Sequence, residues 1–239
     1  EQKDLLVQTM AGIRSVLDEQ GAELIGGHTM ESRSASPLPA SLGVQITLAV
    51  NGRSSQSPWL KSGLQPGDAL LISRPLGTGV LFAGAMTGAT KATDLDAALK
   101  GMACSQHTLL EQLEPVRGDI HACTDITGFG LLGHLGEMLQ NTQELTIQLD
   151  GAAIPAYPGA LELFERGFSS TLAPSNREAW RWLEGPVQLQ QQPSAALLEL
   201  LVDPQTCGPL LLACTSAAAA HLTRTGPWIE IGNATAVHE

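Results

Sequence analysis

The stretch HACTDITGFGLLGHLGEML, at residues 121–139, constrains the fold and the function of this chain more than any other segment. Its GFGLLG string, which begins at Gly128, matches the G-x-G-x-x-G fingerprint of dinucleotide-binding folds. Such folds place a buried apolar strand before the glycines and an acidic residue about twenty positions after them, where Asp150 lies. Here the preceding residues are ACTDIT, and the Asp125 carboxylate would face the pyrophosphate without a neutralising partner. The sequence therefore does not favour a dinucleotide site.

The same stretch predicts a turn at Gly128 and Gly130 that leads into a helix, with Leu131, Leu132 and Leu135 on its buried face. Asp125 then has two interpretations. Between two nearby threonines, its carboxylate suits Mg²⁺ while backbone N–H groups meet phosphate oxygens. Alternatively, it caps the helix, because Asp and Thr side chains accept hydrogen bonds from the first helical N–H groups. Composition does not decide between the two.

The chain of 239 residues has 43% hydrophobic and 4% aromatic residues, which is sufficient for a globular core. Its net charge of −11 makes nucleic acid and anionic membranes poor electrostatic partners. The four cysteines form no C-x-x-C pair, and this favours a reduced, cytoplasmic protein over a zinc or disulfide framework. No apolar run in the sequence is long enough to span a bilayer.

Turn signals in NGRSSQSPWLKSGLQPGD place a domain boundary near residues 51–66. Before it, apolar spacing predicts a helix that ends near Gly21, and LGVQITLAV at 42–50 predicts a strand. After it, strands alternate with helices, which is typical of a layered α/β unit. The strands are predicted at ALLIS, LTIQLD, GPLLLAC and WIEIGNATAV. The helices are predicted at VLFAGAM, 94–114, 159–166, ALLELLV and SAAAAHLTRT, with a short helix or turn at AWRWLEG.

Several further residues have both a chemical and a structural interpretation. IGGHTME at 25–31 is either a ligand-contacting segment or a tight turn, and PLGTG at 75–79 is either a phosphate nest or a strand-to-helix turn. His134 and Glu137 are three apart, but no third metal ligand is near, so a solvated helix surface is favoured. Cys123 is predicted as a small buried residue rather than a nucleophile. DPQTCGPLLLA at 203–213 predicts a rigid turn before a buried strand.

In this order, the segments resemble those of selenophosphate synthetases (selenide, water dikinases): IGGHT, PGDALLISRPLGTGVL, ACTDITGFGLLGHLGEML, IPAYPGALEL and LVDPQTCGPLLLA. The resemblance runs from Gly26 to the end of the chain. That family shares the aminoimidazole ribonucleotide synthetase fold. The resemblance therefore implies an α/β (α+β layered) C-terminal domain over 59–239. Residues 1–58 would be the end of an incomplete N-terminal ATP-binding and dimerisation domain.

The family converts ATP, selenide and water into selenophosphate, AMP and orthophosphate. The resemblance thus implies a cytoplasmic phosphotransferase that uses Mg²⁺ and works as a homodimer, with neither nucleic acid nor a membrane as partner. By motif, Asp125 matches the family's metal-ligating Asp. Gly26, Gly27 and His28 match the segment that contacts nucleotide across the dimer.

The sequence also departs from the family pattern. The family's glycine-rich loop, reactive Cys or selenocysteine, Lys and two metal-binding aspartates have no counterpart here, so the catalytic residues are unknown and the isolated chain is expected to be inactive. Cys207 and Pro209 replace Ser and Gly, and Arg74 replaces Lys. Such divergence fits the family forms that are fused behind an upstream oxidoreductase domain. Two alternatives are a non-catalytic regulatory or assembly module and another ATP-dependent enzyme of the superfamily.

Overall fold

A computed structural model describes residues 2–30, 46–54, 56–140, 144–183 and 185–237. The chain divides into two compact units, Glu1–Ser57 and Pro58–Glu239. The first unit contains helix α1 (Gln2–Glu19), in agreement with the predicted helix. The strand predicted over 42–50 is wrong where it is described, because 46–50 form neither helix nor strand and are exposed, while 42–45 lie outside the described residues. A strand needs a partner strand, and the described part of this unit offers none.

The second unit is a layered arrangement of one sheet and its covering helices. Its strands are β1 (Ala69–Ile72), β2 (Ile120–Asp125), β3 (Leu145–Leu149), β4 (Val187–Leu189), β5 (Leu210–Cys214) and β6 (Ile229–Ala236). Its helices are α2 (Thr78–Met86), α3 (Ala92–Ala103), α4 (His107–Leu113), α5 (Gly130–Met138), α6 (Ala160–Glu165), α7 (Ala173–Leu183), α8 (Ala195–Val202) and α9 (Ser216–Thr225). A 3-10 helix spans Glu114–Asp119.

The six strands pair in the order β2-β5-β1-β6-β3-β4. Neighbouring strands are antiparallel except β3 and β4, which are parallel. Side chains alternate between the two faces of each strand. In β1, Leu70 and Ile72 therefore join a large core with α2, α5, α6 and α8, while Ala69 and Leu71 join a smaller core with α4 and α9. The fold is α/β layered, as predicted.

The single helix predicted over 94–114 is wrong, because α3 ends before α4 begins. Cys104 leaves the helix in an extended conformation (φ −75°, ψ 117°). The Ser105 hydroxyl then accepts a hydrogen bond from His107 N at 3.2 Å. The two helices serve different cores: α3 buries Ala98 in the large one, whereas α4 buries leucines such as Leu113 in the small one. The apolar spacing continues through the break because each helix has its own buried face.

Two strands and the length of one helix were not predicted. In β2, IHACTD, Ile120 and Ala122 are both buried but join different cores, because the register shifts between them, and this leaves only a weak alternating pattern. Strand β4 has only three residues, and α7 extends well beyond the short helix or turn expected at AWRWLEG. Among the helices of the described residues, none has the length and apolar character needed to cross a bilayer.

Candidate functional site

Asp125 is the last residue of β2, at an edge of the sheet, and it is exposed. It lies opposite Leu210 of β5, and the next amide, Ile126 N, donates to the carbonyl oxygen of Pro209 at 2.8 Å. Helix α5 begins only at Gly130 and has no side-chain cap, so the capping role considered for Asp125 is wrong. Among the described residues, none donates a hydrogen bond to its carboxylate. Its two oxygens are therefore available to a ligand.

The glycines of the turn differ in importance. Gly130 has φ +69°, a left-handed conformation that side chains disfavour, and a Cβ there would lie 2.8 Å from the carbonyl carbon of Val202. At Gly128, a Cβ would meet nothing within 4 Å. Behind them, the helix buries the predicted face completely, at Leu131, Leu132 and Leu135. Gly130 is thus the residue of this turn that must be glycine, because both its backbone conformation and its close contact with Val202 exclude a side chain.

A chain of polar side chains holds the turn from the helix side. Thr127 N donates to His134 Nε2 at 3.0 Å, which fixes Nδ1 as the protonated ring nitrogen. His134 Nδ1 donates to Glu137 Oε2 at 3.0 Å, and Lys61 Nζ donates to Glu137 Oε1 at 2.7 Å. Partial burial acts to raise the pKa of Glu137, but Lys61 and His134 together lower it below the ordinary range.

The solvated helix surface predicted for His134 is therefore wrong, since only 5% of the residue is exposed. Its pairing with Glu137 is also not a metal pair. One ring nitrogen accepts from Thr127 and the other donates to Glu137, so neither has a lone pair left for a metal ion. The role of this histidine is to hold the turn that carries Asp125.

Replacing His134 by Asn should lower the free energy of unfolding by about 1–3 kcal/mol, because the buried acceptor for Thr127 N is lost. Replacement by Gln should restore at least half of that loss, since a Gln side chain reaches the position of Nε2. Urea unfolding of both variants, with amide exchange of Thr127, measures the difference. Equal stabilities of the Asn and Gln variants would contradict this role.

The opposite side of the turn is held by segment 203–209. Gln205 N and Gly130 N both donate to the carbonyl oxygen of Thr127 at 3.0 Å. From α7, Asn176 Nδ2 donates to the carbonyl oxygens of Gly128 (2.8 Å) and Val202 (2.9 Å). The turn is therefore fixed by three separate parts of the chain. Such rigidity keeps the Asp125 carboxylate in one place, so that a ligand there would bind at little entropic cost.

The start of α2, within PLGTG, is closed to phosphate. Gln205 Oε1 accepts hydrogen bonds from Gly77 N (2.9 Å) and Thr78 N (3.2 Å). Asp203 Oδ2 accepts from the amides of the next two residues at 3.0 and 3.3 Å. These are the N–H groups that a phosphate nest would need. The structural interpretation of both PLGTG and the DPQT turn is confirmed.

Asp203 is fully buried, and Asp203 Oδ1 has no hydrogen-bond partner among the described residues. Burial raises the pKa of Asp203 to about 7, although Val80, Gln205 and Gly79 donate hydrogen bonds that oppose the shift. Between the unfolded pKa near 4 and the folded value, the native state binds more protons than the unfolded state. The stability contributed by this group is therefore complete at low pH and is lost as the pH rises through about 7.

We expect the free energy of unfolding to fall between pH 4 and pH 7, with a contribution from Asp203 of at most about 1.4 kcal/mol per pH unit. An Asp203→Asn variant should have a flatter dependence on pH, whatever its stability at one pH. Urea unfolding at intervals of one pH unit measures both slopes. Parallel curves for the two proteins would show that Asp203 keeps an ordinary pKa in the native state.

Two other sequence predictions concern cysteine and metal chemistry. Burial, together with the charge of Asp125, raises the pKa of Cys123 to about 11, so the thiol form dominates at neutral pH and a nucleophilic role is disfavoured. Among the described residues, no group of three or more His, Cys, Asp or Glu side chains could hold a metal ion. Asp125 would therefore share any metal with groups from outside the described residues, such as phosphate oxygens and water. An exposed carboxylate suits Mg²⁺, which prefers oxygen ligands.

Gly26, Gly27 and His28 lie in the first unit, in an exposed segment without helix or strand. A Cβ at either glycine would meet nothing within 4 Å. The backbone of this segment is therefore open to approach, and its role with nucleotide stays a prediction.

The family model described as AIR synthase related protein, C-terminal domain, matches residues 65–239. The chain belongs to this family. Membership in the AIR synthase related family accounts for the whole sheet and for every helix of the second unit. The turn at Asp125 and segment 203–209 both lie inside the matched region.

Similar proteins include selenide, water dikinases. That of Bdellovibrio bacteriovorus is 32% identical over 225 residues, which cover 93% of this chain and 60% of that protein. That of Desulfitobacterium hafniense strain DCB-2 is 34% identical over 234 residues, which cover 95% of this chain and 64% of that protein. The chain thus spans roughly three fifths of the length of these relatives.

A solved thiamine-monophosphate kinase from Stenotrophomonas maltophilia is similar to the chain with a TM-score of 0.49 and 18% identity, over 75% of this chain and 52% of that one. The hydrogenase maturation protein HypE gives a TM-score of 0.47 and 23% identity, over 75% of this chain and 47% of that one.

Proposed function

We propose that the full-length protein containing this chain is a selenide, water dikinase, which makes selenophosphate, AMP and orthophosphate from ATP, selenide and water. The single observation that carries the proposal is the exposed Asp125 carboxylate, which has no protein donor among the described residues and lies on a turn fixed from three sides. The relatives that share 30–34% identity with the chain and bear the name selenide, water dikinase support it.

Asp125 would ligate Mg²⁺ through its carboxylate oxygens. Mg²⁺ in such sites typically keeps several water ligands and is otherwise held by one or two carboxylates and by substrate phosphates. One carboxylate from this unit is therefore enough to contribute to the coordination of the metal. When bound, the metal would neutralise phosphate charge and polarise the phosphoryl group that is transferred. A chain with a net charge of −11 has need of such a cation to accept a polyphosphate. The hydrogen bonds between Thr127, His134 and Glu137 would hold the turn so that the Asp125 carboxylate stays directed toward the metal.

The proposal extends to the first unit. Residues 1–58 would be the end of an ATP-binding and dimerisation domain, in which Gly26, Gly27 and His28 contact nucleotide bound by the partner subunit of a homodimer. The open space around the two glycines supports close approach of a ligand to the backbone. The isolated 239-residue chain would be inactive, because one carboxylate cannot hold a metal and triphosphate together.

Phosphorus NMR on the full-length protein with ATP, Mg²⁺ and selenide tests the activity. The expected result is equal amounts of selenophosphate, AMP and orthophosphate, all of which require selenide. A parallel reaction without selenide is the control for ordinary ATP hydrolysis.

Two other results would overturn the proposal. A folded protein that leaves ATP intact would be a non-catalytic regulatory or assembly module. ATP consumption that is independent of selenide would indicate another ATP-dependent enzyme of the superfamily.

A further inference from the structure

Two of the four cysteines lie together on the surface although they are far apart in the sequence. Cys104 follows α3, Cys207 lies between α8 and β5, and both are exposed. The other two differ: burial raises the pKa of Cys123 to about 11 and that of Cys214 to about 12. Reagents in solution therefore have access mainly to Cys104 and Cys207 as reactive thiols.

The guanidinium group of Arg74 donates hydrogen bonds to the backbone of both cysteines. Arg74 Nη2 donates to the carbonyl oxygen of Cys104 at 3.0 Å. Arg74 Nη1 donates to the carbonyl oxygen of Cys207 at 3.2 Å and to that of Gly101 at 2.8 Å. Because the two nitrogens belong to one planar fork, the two cysteine carbonyls are held side by side.

Tyr157 provides a second sign that both thiols lie in one region of the surface. A side chain at Gly101 would collide with the Tyr157 hydroxyl, so this phenol lies directly against the backbone that Arg74 holds. Burial raises the pKa of Tyr157, and the charge of Arg74 acts in the opposite direction, while Cys104 and Cys207 both add to the increase. Both thiols are therefore within electrostatic reach of one hydroxyl group.

We propose that Cys104 and Cys207 form a thiol pair that small disulfides, such as oxidised glutathione, convert into an intrachain disulfide bond. The pair is not a metal site on its own, since no group of three metal-ligating side chains occurs among the described residues. Both cysteines lie in segments without helix or strand, so a disulfide bond between them would not interrupt the backbone hydrogen bonds of a helix or a strand.

The reaction is a double exchange. The thiolate of one cysteine attacks a sulfur of the small disulfide, forming a mixed disulfide and releasing one small thiol. The thiolate of the second cysteine then attacks the protein sulfur of the mixed disulfide, and the second small thiol leaves. Two protein thiols are oxidised and one small disulfide is reduced to two thiols, so no other electron acceptor is needed.

The bond would join the α3–α4 break to segment 203–209. That segment also holds the start of α2 through Asp203 and Gln205, and it holds the turn of Asp125 through Gln205 N. Oxidation at the surface would thereby tie the α3–α4 break to the segment that supports the candidate site.

The test treats the full-length protein, without ATP, with oxidised glutathione, and then alkylates the remaining thiols. Mass mapping without reductant should show Cys104 linked to Cys207 with the loss of two hydrogens, while Cys123 and Cys214 carry no glutathione and are found as alkylated thiols. Digestion with trypsin and then chymotrypsin separates Cys207 from Cys214, which lie on either side of the leucines of β5.

Variants make the result specific. Cys207→Ser should stop at a mixed disulfide on Cys104, Cys123→Ser should still form the link, and Arg74→Lys should form it at least tenfold more slowly. Glutathione on both cysteines without a link between them would overturn the proposal. A link that forms at an unchanged rate in Arg74→Lys would overturn the role assigned to the guanidinium group.

Discussion

An Asp125→Asn variant of the full-length protein should make selenophosphate at least about 100-fold more slowly than the unaltered protein, because removal of a charged group that stabilises transferred phosphate typically costs that much. The substitution keeps the shape of the side chain and removes its negative charge. Since no described residue donates to the carboxylate, the free energy of unfolding should change by less than about 0.5 kcal/mol. The rate is measured by phosphorus NMR as accumulation of selenophosphate.

The matched control is Asp119→Asn. Asp119 is exposed and directly precedes β2, at the opposite end of the strand from Asp125. This substitution removes the same charge just before the start of the strand and should leave the rate within about twofold of the unaltered value, as expected for a surface carboxylate remote from the metal. Equal losses in the two variants, or normal rates in both, would remove Asp125 from the metal site.

A Gly208→Ala variant should be destabilised by about 3 kcal/mol, the upper part of the range for overpacked sites. A Cβ at Gly208 would collide with the carbonyl oxygen of Ile126, and would also come within 2.8 Å of the Gln205 side chain. The atoms it would meet are the backbone carbonyl of Ile126 and the Cβ of Gln205, which a rotamer change does not move. The free energy of unfolding in urea, measured with the same chain before and after substitution, gives the effect.

Gly118→Ala is the control for this substitution. A Cβ at Gly118 would meet nothing within 4 Å, and the residue does not have a left-handed φ. Its stability should stay within about 0.5 kcal/mol of the unaltered protein. A small loss for Gly208→Ala, comparable with this control, would mean that segment 203–209 is free to move away from the Asp125 turn.

The sequence was most informative where a strand is apolar. β1, β3 and β5 are continuous or alternating apolar runs, and each was predicted close to its observed position. β2 was not predicted, because the register shift between Ile120 and Ala122 turns these residues toward different cores, and because its last residues are polar where they lead to the candidate site. The residue types at the end of β2 therefore do not follow the alternating apolar pattern of a strand, as is common where a strand leads to a ligand-binding position.

The supports of the turn could not be predicted for a different reason. Glu137 depends on Lys61, which is 76 positions away, and Gly77 depends on Gln205, which is 128 positions away. Helical spacing placed His134 beside Glu137 correctly, but it gave no information on which face of α5 the sheet covers. Partners at such separations are determined by the tertiary fold, and a single sequence has no periodic signal for them.

The segment 203–209 has a consequence for how the length of this chain can vary among related proteins. Its first residues hold the start of α2, and its end sets the pairing of Leu210 with Asp125. Deletion of one residue would either withdraw the acceptors from α2 or shift β5 by one position, which exchanges the residues that face the large core with those that face the small core. The exposed residues Gln191 and Gln192 neither hold the start of a helix nor set the register of a strand in this way. Insertions and deletions should therefore accumulate there, while the spacing between Asp203 and Leu210 stays constant.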